Sequence, residues 1–141
     1  MATFADTGAL YALLNRSDRH HREAAVAAQR VLNERELLWT IDAVVVELWR
    51  LLRGAFGRET ADRLVQALAA RGLDVQPSAR NDYPRAWQLG ADWADQEFAL
   101  TDRLCFAAIE RMRSFRAWSY DADFVVIRLG PGRNRALDLM V

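Results

Sequence analysis

The stretch MATFADTGALYALLN (residues 1–15) changes its pattern at Asp6. The residues before Asp6 form a short apolar run that is typical of a buried strand, whereas the residues after it place apolar side chains at helical spacing. The stretch therefore predicts a strand that leads directly into a helix, with Asp6 at the junction. In a parallel sheet, ligands bind at such junctions, outside the carboxyl ends of the strands.

The rest of the chain repeats this alternation of short strands and helices. Further strands are predicted at ELLWT (36–40), LDVQ (73–76), RAWSY (116–120) and FVVIRL (124–129). Residues that favour a helix start precede several of the helices: Ser17 or Asp18, Asp42, Ser78 and Thr101. Because strands joined by helices need crossover connections, the pattern indicates a parallel sheet with helices on both faces. The predicted fold class is α/β, a three-layer α/β/α sandwich with a central, mainly parallel sheet.

The bulk composition limits the class of protein. With 141 residues, 52% of them hydrophobic and 27% charged, the chain is expected to form one domain, residues 1–141, around a real core. The Gly-rich tail from about residue 130 is expected to be loosely held at first. The sequence has no apolar run long enough to span a bilayer, and its single cysteine, Cys105, suits a reducing compartment. We therefore expect a cytoplasmic protein with no membrane partner.

All 19 basic residues are arginine, and they balance 19 acidic residues. The absence of lysine excludes P-loop NTPases and Schiff-base enzymes, which both need one. Zero net charge neither indicates nor excludes nucleic-acid binding, because a local basic patch is sufficient for it. The sequence has no G-x-S-x-G motif, and Cys105 is interpreted as a small core residue because its helical neighbours are apolar. His20 and His21 are expected to be solvated.

Several acidic residues lie where strands end or helices begin. Asp6 and Asp121 follow predicted strands, and Asp102 opens a helix. Glu47 lies inside the apolar helix DAVVVELWRLL (42–52). Each acid also has an ordinary structural explanation, as a helix cap, a first-turn acid, a turn former or, for Glu47, a surface partner of Arg50.

Helical spacing nevertheless favours a shared site. Asp102 falls on the same helix face as Cys105, Phe106 and Ile109, and Glu47 has apolar neighbours in the same sense. Inward-pointing carboxylates must be protonated, paired or bound to a metal, since they otherwise repel one another. Carboxylate oxygens are hard ligands that suit Mg²⁺ or Mn²⁺. The sequence therefore predicts a divalent-metal site at the strand ends.

Four segments, in this order and spacing, resemble the signature blocks of the PIN-domain nucleases, and most of all those of the VapC-type toxin branch. They are FADTGALYALLN, TIDAVVVELWRLL, FALTDRLCFAAIERM and AWSYDADF. The resemblance weakens after about Leu129, and Gly8 departs from the family pattern, in which Ser is frequent.

The resemblance implies a PIN-like fold with a four-acid metal site. The four positions are matched by Asp6, Glu47, Asp102 and Asp121. Asp123 is the alternative for the fourth position. Three hydroxyl residues match positions that would support the carboxylates: Thr7, Thr101 and Ser119.

The resemblance also implies a function, the hydrolysis of RNA phosphodiester bonds with Mg²⁺ or Mn²⁺ by the toxin of a toxin–antitoxin pair. It further implies a homodimer, and a cognate antitoxin whose C-terminal segment lies over the first helices. Proximity in sequence to the acids predicts RNA contacts from Arg16, Arg50, Arg53 and Arg103. Two alternatives stay open: a stand-alone PIN nuclease in RNA processing, and a catalytically silent PIN-like binding module.

Overall fold

A computed structural model of the chain describes residues 1–140, in which strands and helices alternate. The strands are β1 (Ala2–Ala5), β2 (Leu37–Ile41), β3 (Asp74–Gln76), β4 (Arg116–Trp118) and β5 (Asp138–Leu139). The helices are α1 (Thr7–Leu14), α2 (His21–Asn33), α3 (Asp42–Phe56), α4 (Arg58–Ala70), α5 (Asp82–Asp92), α6 (Leu100–Met112) and α7 (Ala122–Val126). Among these helices, none combines the length and the apolar character that crossing a bilayer requires.

The strands form one sheet in the order β3–β2–β1–β4–β5, and every neighbouring pair is parallel. The central strand is β1, in which Phe4 lies opposite Trp39 of β2 and Ala117 of β4. Because all the strands run the same way, their carboxyl ends lie along one edge of the sheet. Helices connect the strands and cover the sheet, so the predicted α/β fold with a parallel sheet is confirmed.

A chain of aromatic rings fills the core between the central strand and the helices that follow it. The ring of Phe4 packs edge-on against Trp39, with centroids 4.9 Å apart, and stacks on Phe124 at 6.4 Å. Phe124 in turn packs edge-on against Phe106 of α6 at 4.9 Å. Such pairs contribute about 0.5–1.5 kcal/mol each beyond the burial of their area. They fix α6 and α7, whose first turns carry Asp102 and Asp123, against β1.

The prediction of a strand at FVVIRL (124–129) is wrong, because α7 runs from Ala122 to Val126 and occupies the first half of this segment. The side chain of Asp121 accepts a hydrogen bond from the backbone N–H of Asp123 at 2.9 Å, which starts this helix. Phe124 and Ile127 are buried at helical spacing, and the Arg128 guanidinium donates to the last carbonyls of the helix. The place beside β4 in the sheet is taken by β5 instead.

Two of the predicted helix starts also lie elsewhere. The carboxylate of Asp18 closes a turn by accepting from the backbone N–H of His20 at 2.8 Å, and α2 begins only at His21. Ser78 donates its hydroxyl to Asp42 at 2.6 Å and does not cap α5. The helix α5 begins at Asp82.

The two histidines at the start of α2 are less solvated than expected. The His20 ring stacks on Tyr120 with centroids 4.5 Å apart. The His21 Nδ1 atom lies 2.8 Å from the carbonyl oxygen of Ala12. Both imidazoles therefore join α2 to neighbouring segments.

The tail is held by the sheet. Leu129 and Arg135 exchange two backbone hydrogen bonds of 2.9 and 3.0 Å around the 3₁₀ turn Pro131–Arg133. Leu137 and Met140 are buried on either side of the short strand β5. A two-residue strand lacks a recognisable sequence pattern, so the sequence analysis predicted no strand here.

Candidate active site

The first acidic residue lies where β1 ends and α1 begins. The Asp6 side chain is 4% exposed, and its two oxygens each accept a hydrogen bond. The backbone N–H of Thr7 donates to Oδ1 at 2.7 Å, and the Ser119 hydroxyl donates to Oδ2 at 2.9 Å. The Ser119 oxygen also accepts from the backbone N–H of Asp121 at 3.1 Å. Ser119 therefore joins the carboxyl ends of β1 and β4 and fixes the orientation of the Asp6 carboxylate.

Three further carboxylates converge beside this junction. Asp102, Asp121 and Asp123 each offer one oxygen, and these oxygens lie within 4.8 Å of one another. Asp102 comes from the first turn of α6, whereas Asp121 and Asp123 come from the start of α7. The structure thus brings both candidates for the fourth acid to the same place.

Glu47 approaches the cluster from α3. The fully buried side of this helix is formed by Val44, Leu48 and Leu52. Glu47 lies beside that stripe and is half-buried, so the expectation that it points into the core was too strong. Its negative charge nevertheless raises the pKa of both Asp6 and Asp102, which places its carboxylate within electrostatic reach of the other acids.

The electrostatics of the cluster are those of crowded anions. Burial, followed by the charges of Asp121 and Glu47, raises the pKa of Asp6 to about 6 against the lowering effect of its two hydrogen bonds. Burial and the neighbouring acids, Asp6 foremost, raise the pKa of Asp102 to about 8. Burial and the charge of Asp121 raise the pKa of Asp123 as well. Asp6, Asp102 and Asp123 therefore each lose a proton at a free-energy cost that a bound cation would remove.

The chemistry of this donor set fits a hard divalent cation. Within residues 1–140, none of the five carboxylates forms an ion pair with an arginine or a histidine. Asp82, which is as deeply buried as Asp6, is by contrast paired with Arg111. The Thr7 hydroxyl beside Asp6 is buried and has no hydrogen-bond partner among the described residues. An all-oxygen site with uncompensated negative charge suits Mg²⁺ or Mn²⁺.

The three hydroxyl residues predicted to support the acids differ in what they contribute. Ser119 contacts Asp6 through its hydroxyl. Thr7 contacts Asp6 through its backbone N–H. Thr101 is half-buried and lines a cleft beside Glu47.

The four predicted RNA-binding arginines lie in different surroundings. Arg50 is exposed and lines the same cleft as Glu47, whereas Arg16 lines a separate cleft with Phe56. The guanidinium of Arg53 lies 6.0 Å over the Trp49 ring. Arg103 has structural contacts, which are described next. The sequence interpretation did not include Tyr83, which lines the same cleft as Arg50; an aromatic residue four positions before Trp87 on α5 was the available signal.

Arg103 clamps the start of α6 to α5. Its guanidinium donates to the carbonyl oxygens of Phe98 at 3.0 Å and Ala86 at 3.1 Å, and lies 5.8 Å from the Trp87 ring centroid. A Cβ at Gly90 would lie 2.6 Å from this guanidinium, so glycine gives it space. These contacts account for the half-buried position of Arg103 without RNA.

We therefore expect Arg103→Ala to lower the free energy of unfolding by about 2 kcal/mol, because two charge-assisted hydrogen bonds are lost. Urea denaturation measures this change. The matched variant Arg53→Ala removes an exposed guanidinium and should change stability by less than about 0.5 kcal/mol. Equal stabilities of the two variants would contradict the structural role of Arg103.

The PIN-domain family model matches residues 3–128. The chain belongs to the PIN-domain family. The sequence-based assignment to PIN domains is thereby confirmed over nearly the whole chain. No curated protein gives a significant match to the sequence.

This PIN domain is similar in fold to solved structures of three other proteins. VapC20 of Mycobacterium tuberculosis, a sarcin–ricin loop cleaving toxin, has a TM-score of 0.75 and 22% identity over 87% of this chain and 92% of its own. VapBC2 from Rickettsia felis, solved in a complex with a DNA fragment from its promoter, has a TM-score of 0.67 and 10% identity over 86% of this chain and 89% of its own. VapBC-1 from nontypeable Haemophilus influenzae has a TM-score of 0.66 and 16% identity over 87% and 89%. At these identities the likeness establishes the fold.

Proposed function

We propose that this PIN domain is a divalent-metal-dependent endoribonuclease and the toxin of a toxin–antitoxin pair. The observation that carries the proposal is the convergence of Asp102, Asp121 and Asp123 at the carboxyl edge of the sheet, with Asp6 and Glu47 within electrostatic reach of Asp102. Membership of the PIN family and likeness in fold to a toxin that cleaves the sarcin–ricin loop support it.

The metal would be Mg²⁺ or Mn²⁺, held by Asp6, Glu47, Asp102 and Asp121. Asp121 is preferred to Asp123 as the fourth acid, because its charge acts on both Asp6 and Asp102 and its backbone is bonded to Ser119. When bound, such an ion would supply a lowered pKa for a water molecule beside it and positive charge near the leaving oxygen.

The protein's own contribution is the orientation and protonation state of the carboxylates. Ser119 and the Thr7 N–H hold the Asp6 oxygens in fixed directions, and hydrogen bonds to the charged form favour it. Asp102 would hold a proton in the absence of a cation near neutral pH, since its pKa is about 8. The cluster is therefore arranged to exchange protons for a cation.

The remaining parts of the proposal concern organisation and partners. We propose a single PIN domain, because β5 joins the last described residues to the same sheet as β1. Two of the structures with a similar fold are VapBC assemblies, which supports a cognate antitoxin as a partner and, by the family resemblance, a homodimer. We propose a cytoplasmic location, since the proposed substrate is RNA. RNA contacts are proposed from Arg50 first, with Arg16, after α1, and Arg53, on α3, as further candidates, whereas Arg103 is assigned a structural role.

Metal-dependent cleavage of RNA is the direct test. We expect the purified protein to cut RNA with Mg²⁺ or Mn²⁺, to stop in EDTA and to recover when the metal is restored, because the acids hold the ion. Asp121→Asn should reduce the rate more than Asp123→Asn, the neighbouring matched variant. Cleavage that continues in EDTA would rule out the proposed chemistry, and an equal loss in the two variants would contradict the choice of the fourth acid.

A further inference from the structure

A cleft of about 520 Å³ opens beside the acidic cluster. It is lined by Asp42, Val46, Glu47 and Arg50 of α3, by Tyr83 of α5 and by Thr101 of α6. The volume falls within the range of sites that hold small ligands. Because Glu47 lines the cleft and also belongs to the acidic cluster, a ligand bound in the cleft would lie next to the proposed metal site.

The Tyr83 ring is open to solvent yet fixed in position. It is 44% exposed and lies 6.4 Å from the Trp87 ring, one helical turn away. The preceding residue, Asp82, is 2% exposed and forms two hydrogen bonds with Arg111, of 2.9 and 3.1 Å. A second contact, from the Ala79 N–H to Asp82 at 2.8 Å, closes the turn before α5. These contacts hold the start of α5 in place, and Tyr83 lines the cleft from there.

The α3 side of the cleft combines apolar and cationic groups. Val46 is 68% exposed and gives the cleft an apolar surface. Arg50 is exposed, and within residues 1–140 its guanidinium has no ion-pair partner, although Glu47 lies one turn before it. The aromatic ring of Tyr83 and the apolar surface of Val46 are suited to bind a base, and the guanidinium of Arg50 is suited to bind a phosphate.

We propose that this cleft binds one unstacked nucleotide of single-stranded RNA next to the bond that is cut. Tyr83 stacks on the base, and Arg50 pairs with the phosphate that follows it. The inference rests on the proposed ribonuclease function and adds the residues that select the form of RNA. A base inside a duplex has both faces covered by its neighbours, so paired RNA cannot enter the cleft in this way. Within residues 1–140 no carboxylate pairs with the Arg50 guanidinium, which favours a phosphate over an uncharged peptide segment as the occupant.

The ring of Tyr83 is tested by comparing Tyr83→Ala with Tyr83→Phe. Stacking on an aromatic side chain acts on bound substrate and transition state alike, so Tyr83→Ala should raise KM for a single-stranded RNA about 5- to 100-fold with little change in kcat. Tyr83→Phe keeps the ring and should restore KM. Leu32→Ala, which truncates an exposed apolar residue at the far end of α2, is the matched control and should leave KM unchanged.

A spectroscopic readout separates stacking from a general structural effect. An RNA that carries 2-aminopurine next to the cleaved bond should lose fluorescence when it binds the wild-type protein, because the base stacks on Tyr83. This quenching should disappear in Tyr83→Ala and persist in Tyr83→Phe. Arg50→Gln should lower the slope of log affinity against log salt by about 0.7, the value of one single-strand phosphate contact, whereas Arg71→Gln should leave the slope unchanged.

The outcomes distinguish this inference from the proposed function. If wild-type protein cuts RNA with metal but Tyr83→Ala keeps the KM and the quenching of the wild type, the inference is wrong and the cleft serves another occupant, such as a segment of a protein partner. Equal cleavage of single-stranded and fully paired RNA of one sequence would also overturn it. If the wild-type protein cuts no RNA with either metal, the proposed function itself fails.

Discussion

Asp6→Asn should abolish RNA cleavage while making the metal-free protein more stable. Asparagine keeps the acceptor for the Thr7 N–H but removes the charge, so the divalent ion loses a ligand and the rate should fall by about 10³-fold or more. In EDTA near pH 8 the same change removes a buried carboxylate whose pKa is about 6 instead of 3.8. That difference corresponds to about 3 kcal/mol, which sets the upper limit of the expected gain.

Activity assays and thermal melts on the same preparations measure the two effects. Asp95→Asn, at an exposed acid in the turn after α5, is the matched control and should change neither. A lower melting temperature for metal-free Asp6→Asn would show that the Asp6 carboxylate holds the fold together through Ser119. Retained cleavage would remove Asp6 from the site.

The second large effect is a fall in stability as the pH rises from about 4 to about 8 without metal. The pKa values of Asp6 and Asp102 are raised in the folded state from 3.8 to about 6 and about 8, so at a pH between 3.8 and its raised pKa each group keeps, in the folded protein, a proton that the unfolded chain has released. The free energy of unfolding therefore decreases with pH; it is highest below the ordinary value of 3.8, and the loss is complete above about 8. Asp6 alone accounts for about 3 kcal/mol, and Asp102 adds to it.

Mg²⁺ should reverse this loss, and more strongly at high pH, where the carboxylates are charged. A ligand at a hundred times its Kd stabilises the folded state by about 2.7 kcal/mol. Melting temperatures measured across this pH range, with EDTA or with Mg²⁺, test both statements. The double variant Asp6→Asn/Asp102→Asn should weaken both the pH dependence of the melting temperature and its response to Mg²⁺. Stability that rises with pH in EDTA, with no response to Mg²⁺, would contradict an anionic metal site.

Much of the fold follows from local patterns. The apolar run before Asp6 and the helical spacing after it predict β1 and α1, and the alternation predicts a parallel sheet. The failures have a common cause, which is tertiary context. Val125 and Val126 favour a strand by propensity, yet the cap provided by Asp121 and the burial of Phe124 make this segment helical. The strand β5 has two residues and forms only because β4 offers an open edge.

The acids of the site could be identified from sequence because their spacing matches the family pattern, but their surroundings could not. Helical periodicity placed Glu47 on the buried stripe of α3, whereas the helix is rotated enough to leave it half-buried at the border. Arg103 looked available for RNA because it follows Asp102 in sequence. Its direction is set by the carbonyl oxygens of another helix and of the turn before α6, which spacing along the chain does not reveal.

The bond between Ser119 and Asp6 joins residues 113 positions apart. It depends on the pairing of β1 with β4, which brings an early strand beside a late one. Ring closure over so long a segment is slow compared with the formation of single helices. A polypeptide still emerging from the ribosome has its first strand but lacks the neighbour that orients the carboxylate. The Asp6 carboxylate of the proposed nuclease therefore gains its fixed orientation only after β4 has paired with β1.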